Sequence, residues 1–351
     1  MQLTYDEAEL LASHDYEAPL IAGGVRCHGG FDADGAYVSP RTKHRAPAIR
    51  NWQANHRATF GTELLDVPLE TWPRHYPNVT QARFLIESGV PEPIISNLSR
   101  IGTVEGFGGM IRLAPVPDRH RTFVEETDGT ALAHLANGLF EAHARDEAGW
   151  DGDGLEPEGG HKQMWFAARD VAFGDPPSDD DTELMLRRMG INQMAKAAPV
   201  RLWPVDTSVD LELLVERMVR LLLIEISAFH TFAWAEELLS DPDLVAGDGE
   251  AARLVSYIRA DETPHVEYLK TVLTEIRDRT IVGGKGTYAG ADLVGATWDR
   301  ALAQSLGERR EDTLRWVHGE IEHATSGRAD AADVMARFDE LADDGLEVPA
   351  A

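Results

Sequence analysis

The residues best placed to do chemistry are carboxylates and imidazoles embedded in apolar helical stripes. Between Arg220 and Glu236 the chain reads LLLIEISAFHTFAWA, in which Glu225 and His230 are the titratable groups. Leu214, Met218, Leu221, Glu225, Phe229 and Phe232 recur at three- and four-residue intervals and therefore share one helical face. A carboxylate in such a stripe costs several kcal/mol unless it is protonated, paired or bound to a cation. An arginine partner such as Arg220 or Arg259 is the ordinary solution; a metal is the other. Downstream, Leu254, Ile258, Glu262, His265, Leu269, Val272 and Ile276 form a second stripe, interrupted by two polar residues one turn apart. Glu-x-x-His aims both side chains at one point, which suits joint metal ligation. Pro264 lies between them, removes an amide donor, and predicts a local kink. Equal distances from the intervening turn would bring Glu225 level with Glu262 in an antiparallel pair.

A site built from two metals needs a second half. The Glu-x-x-His spacing also occurs at Glu158–His161 and Glu320–His323, and the latter reads as a solvated helix end. One assignment pairs Glu141 with Glu158 and His161 across a short Gly-rich connection. The other makes Glu105, on the stripe Leu98, Ile101, Glu105, the first-helix ligand and Glu141 the bridging one. The interval 105→141 nearly equals 225→262, but position 144 is alanine, so His161 would have to arrive from beyond an insertion. Both assignments stay open. Phe229, Phe232 and Trp165 could line a pocket, although ordinary core packing is the favoured explanation of them. His230 lies about 140° around the helix from Glu225 and is expected to support the site from outside or to pack. Asp261, Asp146 and Arg145 are candidate partners for the outer nitrogens of ligating imidazoles.

Helices must position these groups. The periodicity predicts them at 93–112, 129–148, 158–172, 180–197, 208–240, 249–278, 290–323 and 328–342, with Thr207 or Ser208 and Asp248 as N-caps of the two longest. Breaks fall at APVPD, GWDGDGLEPEGG, FGDPPSDD, SDPDLVAGD and VGGKGTYAG. Residues 1–77, rich in Gly, Pro, His and aromatics, lack a sustained helical period and read as irregular, with short helices or strands. The fold class is therefore all-α: an irregular extension over 1–92, a helical bundle over 93–280 and accessory helices over 281–351. No Gly-rich phosphate loop follows a predicted strand, which leaves nucleotide folds unsupported.

Composition narrows the partners. The 60 acidic residues exceed the 33 Lys and Arg by 27 charges, which disfavours nucleic acid and anionic membrane surfaces. Uncharged stretches fall short of the roughly 18 residues that span a bilayer, and no signal peptide is evident. A lone Cys27 suits a reducing compartment, so a cytoplasmic location is expected.

The arrangement resembles the ferritin-like di-iron carboxylate superfamily, whose four-helix bundle carries Glu on two helices and Glu-x-x-His on two others. Glu225 matches the third-helix ligand, and Glu262 with His265 the fourth-helix pair; residues 173–207 would cross between bundle halves. The resemblance covers roughly 93–278. It implies two iron ions, or manganese or a mixed pair, and a non-haem oxidase or oxygenase acting on a small apolar or aromatic substrate. It further implies O2 and an electron donor such as ferredoxin or a reductase as partners, and it allows a homodimer. The alternatives are an iron-storing ferroxidase and a metal-free helical interaction protein.

Overall fold

The computed structural model describes residues 5–152, 157–174 and 201–344, and in it the chain is mostly helical. After a single helical turn at Glu7–Leu10 comes an antiparallel sheet: β1 (Ala18–Ala22), β2 (Val25–Phe31) and β3 (Tyr37–Val38). The helices that follow are α1 (Thr42–Phe60), α2 (Val79–Glu87), α3 (Glu92–Gly108), α4 (Phe140–Ala148) and α5 (His161–Phe173). Then come α6 (Val209–Leu239), α7 (Glu250–Asp261) and α8 (Thr263–Arg277). A hairpin, β4 (Thr280–Val282) with β5 (Thr287–Ala289), leads into α9 (Gly290–Leu306), α10 (Glu308–Ala324) and α11 (Ala331–Glu340).

Four passes of chain enclose the centre: α3, α4 with α5, α6, and α7 with α8. Each crosses from one apolar cluster to another. The first cluster holds Phe140, Leu214, Met218, Leu222, Leu269 and Val272. The second holds Leu98, Trp165, Phe232, Leu238, Leu254 and Ile258. The order in which each pass meets them fixes its direction. Pass one runs from the second cluster to the first, passes two and three the reverse, and pass four like pass one. Passes two and three are thus parallel. The helix expected at 180–197 lies outside the described residues.

Local sequence explains the breaks. Ser208 caps α6 by accepting from the Leu211 amide, whereas Gly249, not Asp248, occupies the N-cap of α7. Pro264 cannot donate to the preceding turn, and the expected kink separates α7 from α8 at Glu262. Gly307 likewise divides the single helix expected over 290–323. The helix expected over 129–148 is regular only from Phe140, because Asn137 and Gly138 (φ 122°) leave the helical region. The reading of 1–92 as irregular is corrected by α1, 19 residues long, and α2. By length and composition α6 is apolar enough to cross a membrane; here it is the central helix of the bundle, its Leu, Val and Met positions buried in both clusters.

Between α4 and α5 the chain makes an excursion that brings His161 back beside Glu147. Gly149 (φ +81°) turns it, and Trp150 and Glu158 exchange backbone hydrogen bonds of 2.8 and 2.7 Å. Gly159 then joins β2 through the Arg26 carbonyl and the His28 amide. A Cβ on Gly160 would sit 2.4 Å from the Gly149 nitrogen and 2.7 Å from the Asp146 carbonyl oxygen. Gly160→Ala is therefore expected to force the two strands of the pinch apart, at a cost of roughly 1–3 kcal/mol. Chemical denaturation would measure it, and an unchanged midpoint would contradict the tightness of this turn.

Candidate metal centre

Where each pass changes from one apolar cluster to the other, it contributes polar side chains to a buried seam. Pass one gives Glu105, pass two His143, Glu147 and His161, pass three Glu225, and pass four Glu262 and His265. Their donor atoms form two groups whose members lie within 4.8 Å of one another: His143, Glu147, Glu225 and His265; and Glu105, Glu147, His161 and Glu262. Glu147 belongs to both. His161 Nδ1 stands 3.0 Å from Glu262 Oε1, 3.4 Å from Glu147 Oε1 and 3.6 Å from Glu105 Oε2. His265 Nδ1 stands 2.8 Å from Glu262 Oε2 and 3.1 Å from Glu147 Oε1. His143 Nε2 is 3.6 Å from Glu225 and 3.9 Å from Glu147. Glu105 is the most accessible member, its side chain 13% exposed.

The outer nitrogens of two of these imidazoles are held by aspartates. His265 Nε2 lies 3.0 Å from Asp146 Oδ2, and His161 Nε2 lies 3.5 Å from Asp261 Oδ2. Each aspartate immediately precedes a glutamate of the seam, in Asp146-Glu147 and Asp261-Glu262, and each serves the histidine of the opposite pass. The N-terminal segment supports both. Arg41 Nε and Arg45 Nη2, at the start of α1, donate to Asp146 at 2.8 and 2.7 Å. Tyr37 on β3 donates to Asp261 at 2.8 Å, and His28 on β2 approaches it at 3.4 Å.

The electrostatics follow from this packing. Burial and the neighbouring Glu147 push Glu105 well above the ordinary carboxylate range; burial and Glu262 do the same to Glu225. Burial opposes ionisation of Glu147 as well, but His161 and His265 overcome it and hold that carboxyl well below its usual value. Burial resists charging of His161 and His265, yet Glu147 and Glu262 hold the first, and Glu262 and Asp146 the second, well above the normal imidazole value. His143, pushed down to about 3 by burial and by His265, is neutral. Several inward atoms, among them Glu147 Oε1, Glu262 Oε1, His143 Nε2 and His161 Nδ1, make no hydrogen bond within the described residues. Carboxylate oxygens and imidazole nitrogens from four passes converging on one buried seam fit a cation. These clusters can hold a metal ion.

The sequence expectations divide accordingly. Glu105, His161, Glu225, Glu262 and His265 come together. Glu141 does not: it pairs with Arg145 at 2.8 Å, away from the seam. Glu158 is also outside, its side chain one-third exposed and near Arg26. Because α4 starts at Phe140, its buried face runs Phe140, His143, Ala144, Glu147, which turns Glu141 outward. Asp146 and Asp261 hold imidazoles as expected, whereas Arg145 stacks 3.8 Å from the Trp150 ring. His230 donates to the Leu69 carbonyl instead of supporting the seam. Trp165 and Phe232 stack in the second apolar cluster, 5.9 Å apart, and Phe229 borders a separate surface cavity with Asp66 and Val67. Arg220 and Arg259 neutralise Glu216 and Glu236, not Glu225 or Glu262.

A cavity of about 410 Å³ opens beside the seam, with Glu105, Glu147 and Glu225 in its wall and Val104, Phe107, Ile111, Leu221 and Ile224 as its apolar lining. Met110 and Leu113, 52% and 70% exposed, also border it. No family model matches this chain, nor does any curated protein or solved structure.

Asp146→Ala would strand the Arg41 and Arg45 guanidiniums in the interior. Removing one partner of such a buried set costs about 3–5 kcal/mol, which urea denaturation should register; a loss under 1 kcal/mol would show that the network is dispensable.

Proposed function

We propose that this protein is a di-metal oxidase or oxygenase, with iron, manganese or a mixed pair in the seam, acting on a small organic substrate. The observation that carries the reading is the sharing of Glu147 between two donor groups, one with His143, Glu225 and His265, the other with Glu105, His161 and Glu262. Four passes, of which the second and third run parallel, also agree with a ferritin-like bundle. Relative to the pattern of that superfamily, the second-helix Glu and His are separated by the excursion, and His143 is an additional nitrogen donor.

The chemistry that two such ions supply when bound is reduction of O2 coupled to oxidation of an adjacent organic group. The chain's own contributions are more specific. Glu147 and Glu262 face both halves. Asp146 accepts from the outer nitrogen of His265, and Asp261 stands 3.5 Å from that of His161, which leaves the Nδ1 atoms to ligate. His143 presents a neutral imidazole that need not lose a proton. The apolar walls around Phe107, Leu221 and Ile224 exclude water and favour an apolar substrate body. That substrate-sized cavity against the carboxylates favours this reading over iron storage, and the engagement of Arg220 and Arg259 elsewhere disfavours a metal-free role.

Elemental analysis of protein expressed with iron tests the proposal. About two metal ions per chain are expected, with Glu147→Ala losing both and Glu105→Ala keeping at least the one beside His143. Absence of iron, manganese and zinc from the wild-type chain would refute it.

Metal uptake must also displace protons. His161 and His265 are charged near neutrality without metal, because their values are raised, and ligation requires the neutral form. Apparent affinity should therefore rise from pH 6 to pH 8, with proton release seen by calorimetry in buffers of different ionisation enthalpy. A pH-independent affinity would contradict the charge state assigned to these imidazoles.

A further inference from the structure

A second cavity, about 290 Å³, lies on the other side of Glu105 and shares Val104, Glu105, Ile224 and Ala228 with the apolar one. Its character is opposite. Arg74, Arg100, Arg309 and Arg310 all border it, and Glu105 is its sole acidic lining residue. Four guanidiniums around one hollow are unexpected in a chain with 27 excess negative charges. Among the described residues, Arg309 and Arg310 make no ion pair.

The inner end of this cavity is organised by a chain of hydrogen bonds. Arg100, stacked 4.5 Å from the Trp316 ring, donates from Nη2 to Asn97 Oδ1 at 3.1 Å. Asn97 Nδ2 in turn donates to His75 Nε2 at 2.9 Å, which leaves His75 Nδ1–H to donate to Thr231 Oγ1 at 2.9 Å. Burial pushes His75 down to about 3, so its ring is neutral and this direction is fixed. The Thr231 hydroxyl accepts there and donates to no described residue, so its proton is available to a ligand in the cavity it lines. Arg100 Nε is buried without a hydrogen-bond partner. The Arg309 and Arg310 forks and the Thr231 hydroxyl are donors without an acceptor among the described residues, the complement of a carboxylate or phosphate.

We propose that this cavity seats the anionic head of a small organic acid, with its apolar body along Val104, Ile224 and Ala228 toward the apolar cavity. Naming that acid as the substrate rests on the oxygenase reading; the anion site itself does not. The head contacts Arg309 and Arg310 at the rim and Thr231 within. The body then lies on the wall that also carries Glu105, which places the substrate beside the metal-holding seam.

The test is a titration of the full chain, both metal-loaded and chelator-treated, followed by calorimetry and tryptophan fluorescence. Octanoate and octyl phosphate are the anionic probes, octanamide the neutral control and butyrate the short one. Octanoate or octyl phosphate is expected to bind at least tenfold more tightly than octanamide, and octanoate at least tenfold more tightly than butyrate. Arg309→Gln with Arg310→Gln should remove most of the preference for the anion while leaving the unfolding temperature unchanged, and Thr231→Val should weaken it severalfold. Equal binding of octanamide, or full retention of the preference in the double arginine variant, would overturn the proposal. Metal content, measured separately, decides the oxygenase reading: chelator-treated protein that still selects the anion supports this site even if no metal is found.

Discussion

Four carboxylates and three imidazoles share one buried seam, and this is the constraint around which the rest of the molecule is arranged. Like charges at such separations repel strongly where solvent cannot screen them. Without a cation, the fold resolves the conflict by protonation: Glu105 and Glu225 are shifted toward the neutral acid, while His161 and His265 take up positive charge between Glu147 and Glu262. Two apolar clusters, one on each side, make the arrangement rigid. Because every pass changes cluster at the level of its polar residues, the seam occupies the boundary between two packed interiors instead of interrupting either.

The aspartates bind this centre to a part of the chain remote from it in sequence. Asp146 and Asp261 each hold a histidine of the opposing pass, so the second and fourth passes are cross-linked twice through polar contacts. Their own partners differ. Asp146 is neutralised by two guanidiniums, whereas Asp261 faces a phenol and a neutral imidazole. The two halves of the seam are therefore alike in ligand type and unlike in the charge behind them.

Apolar periodicity located the later half of the site: Glu225, Glu262 and His265 stand out because their stripes are otherwise greasy, and Pro264 marked the break beside them. The earlier half was harder for an identifiable reason. Extending the helix back to residue 129 set the wrong phase, since Gly138 interrupts it, and that phase selected Glu141 over Glu147. Starting at Phe140, the spacing Phe140, His143, Ala144, Glu147 is an ordinary buried helical face. Glu158 misled through its Glu-x-x-His spacing with His161, although Gly159 and Gly160 between them belong to an extended return and not to a helix. Long-range pairings, such as Arg45 with Asp146 or Tyr37 with Asp261, join residues more than 100 positions apart and leave no local periodic trace.

The contribution of β2, β3 and the start of α1 has a chemical consequence. Substitutions at His28, Tyr37 or Arg41 alter how strongly an aspartate pulls on its imidazole proton, and with it the electron-donating power of that ring. None of these three side chains belongs to the set that meets in the seam. The amino-terminal sheet thus acts as an adjustable backing plate, through which the basicity of the seam's imidazoles can be retuned while the inner residues and the cavity walls stay unchanged.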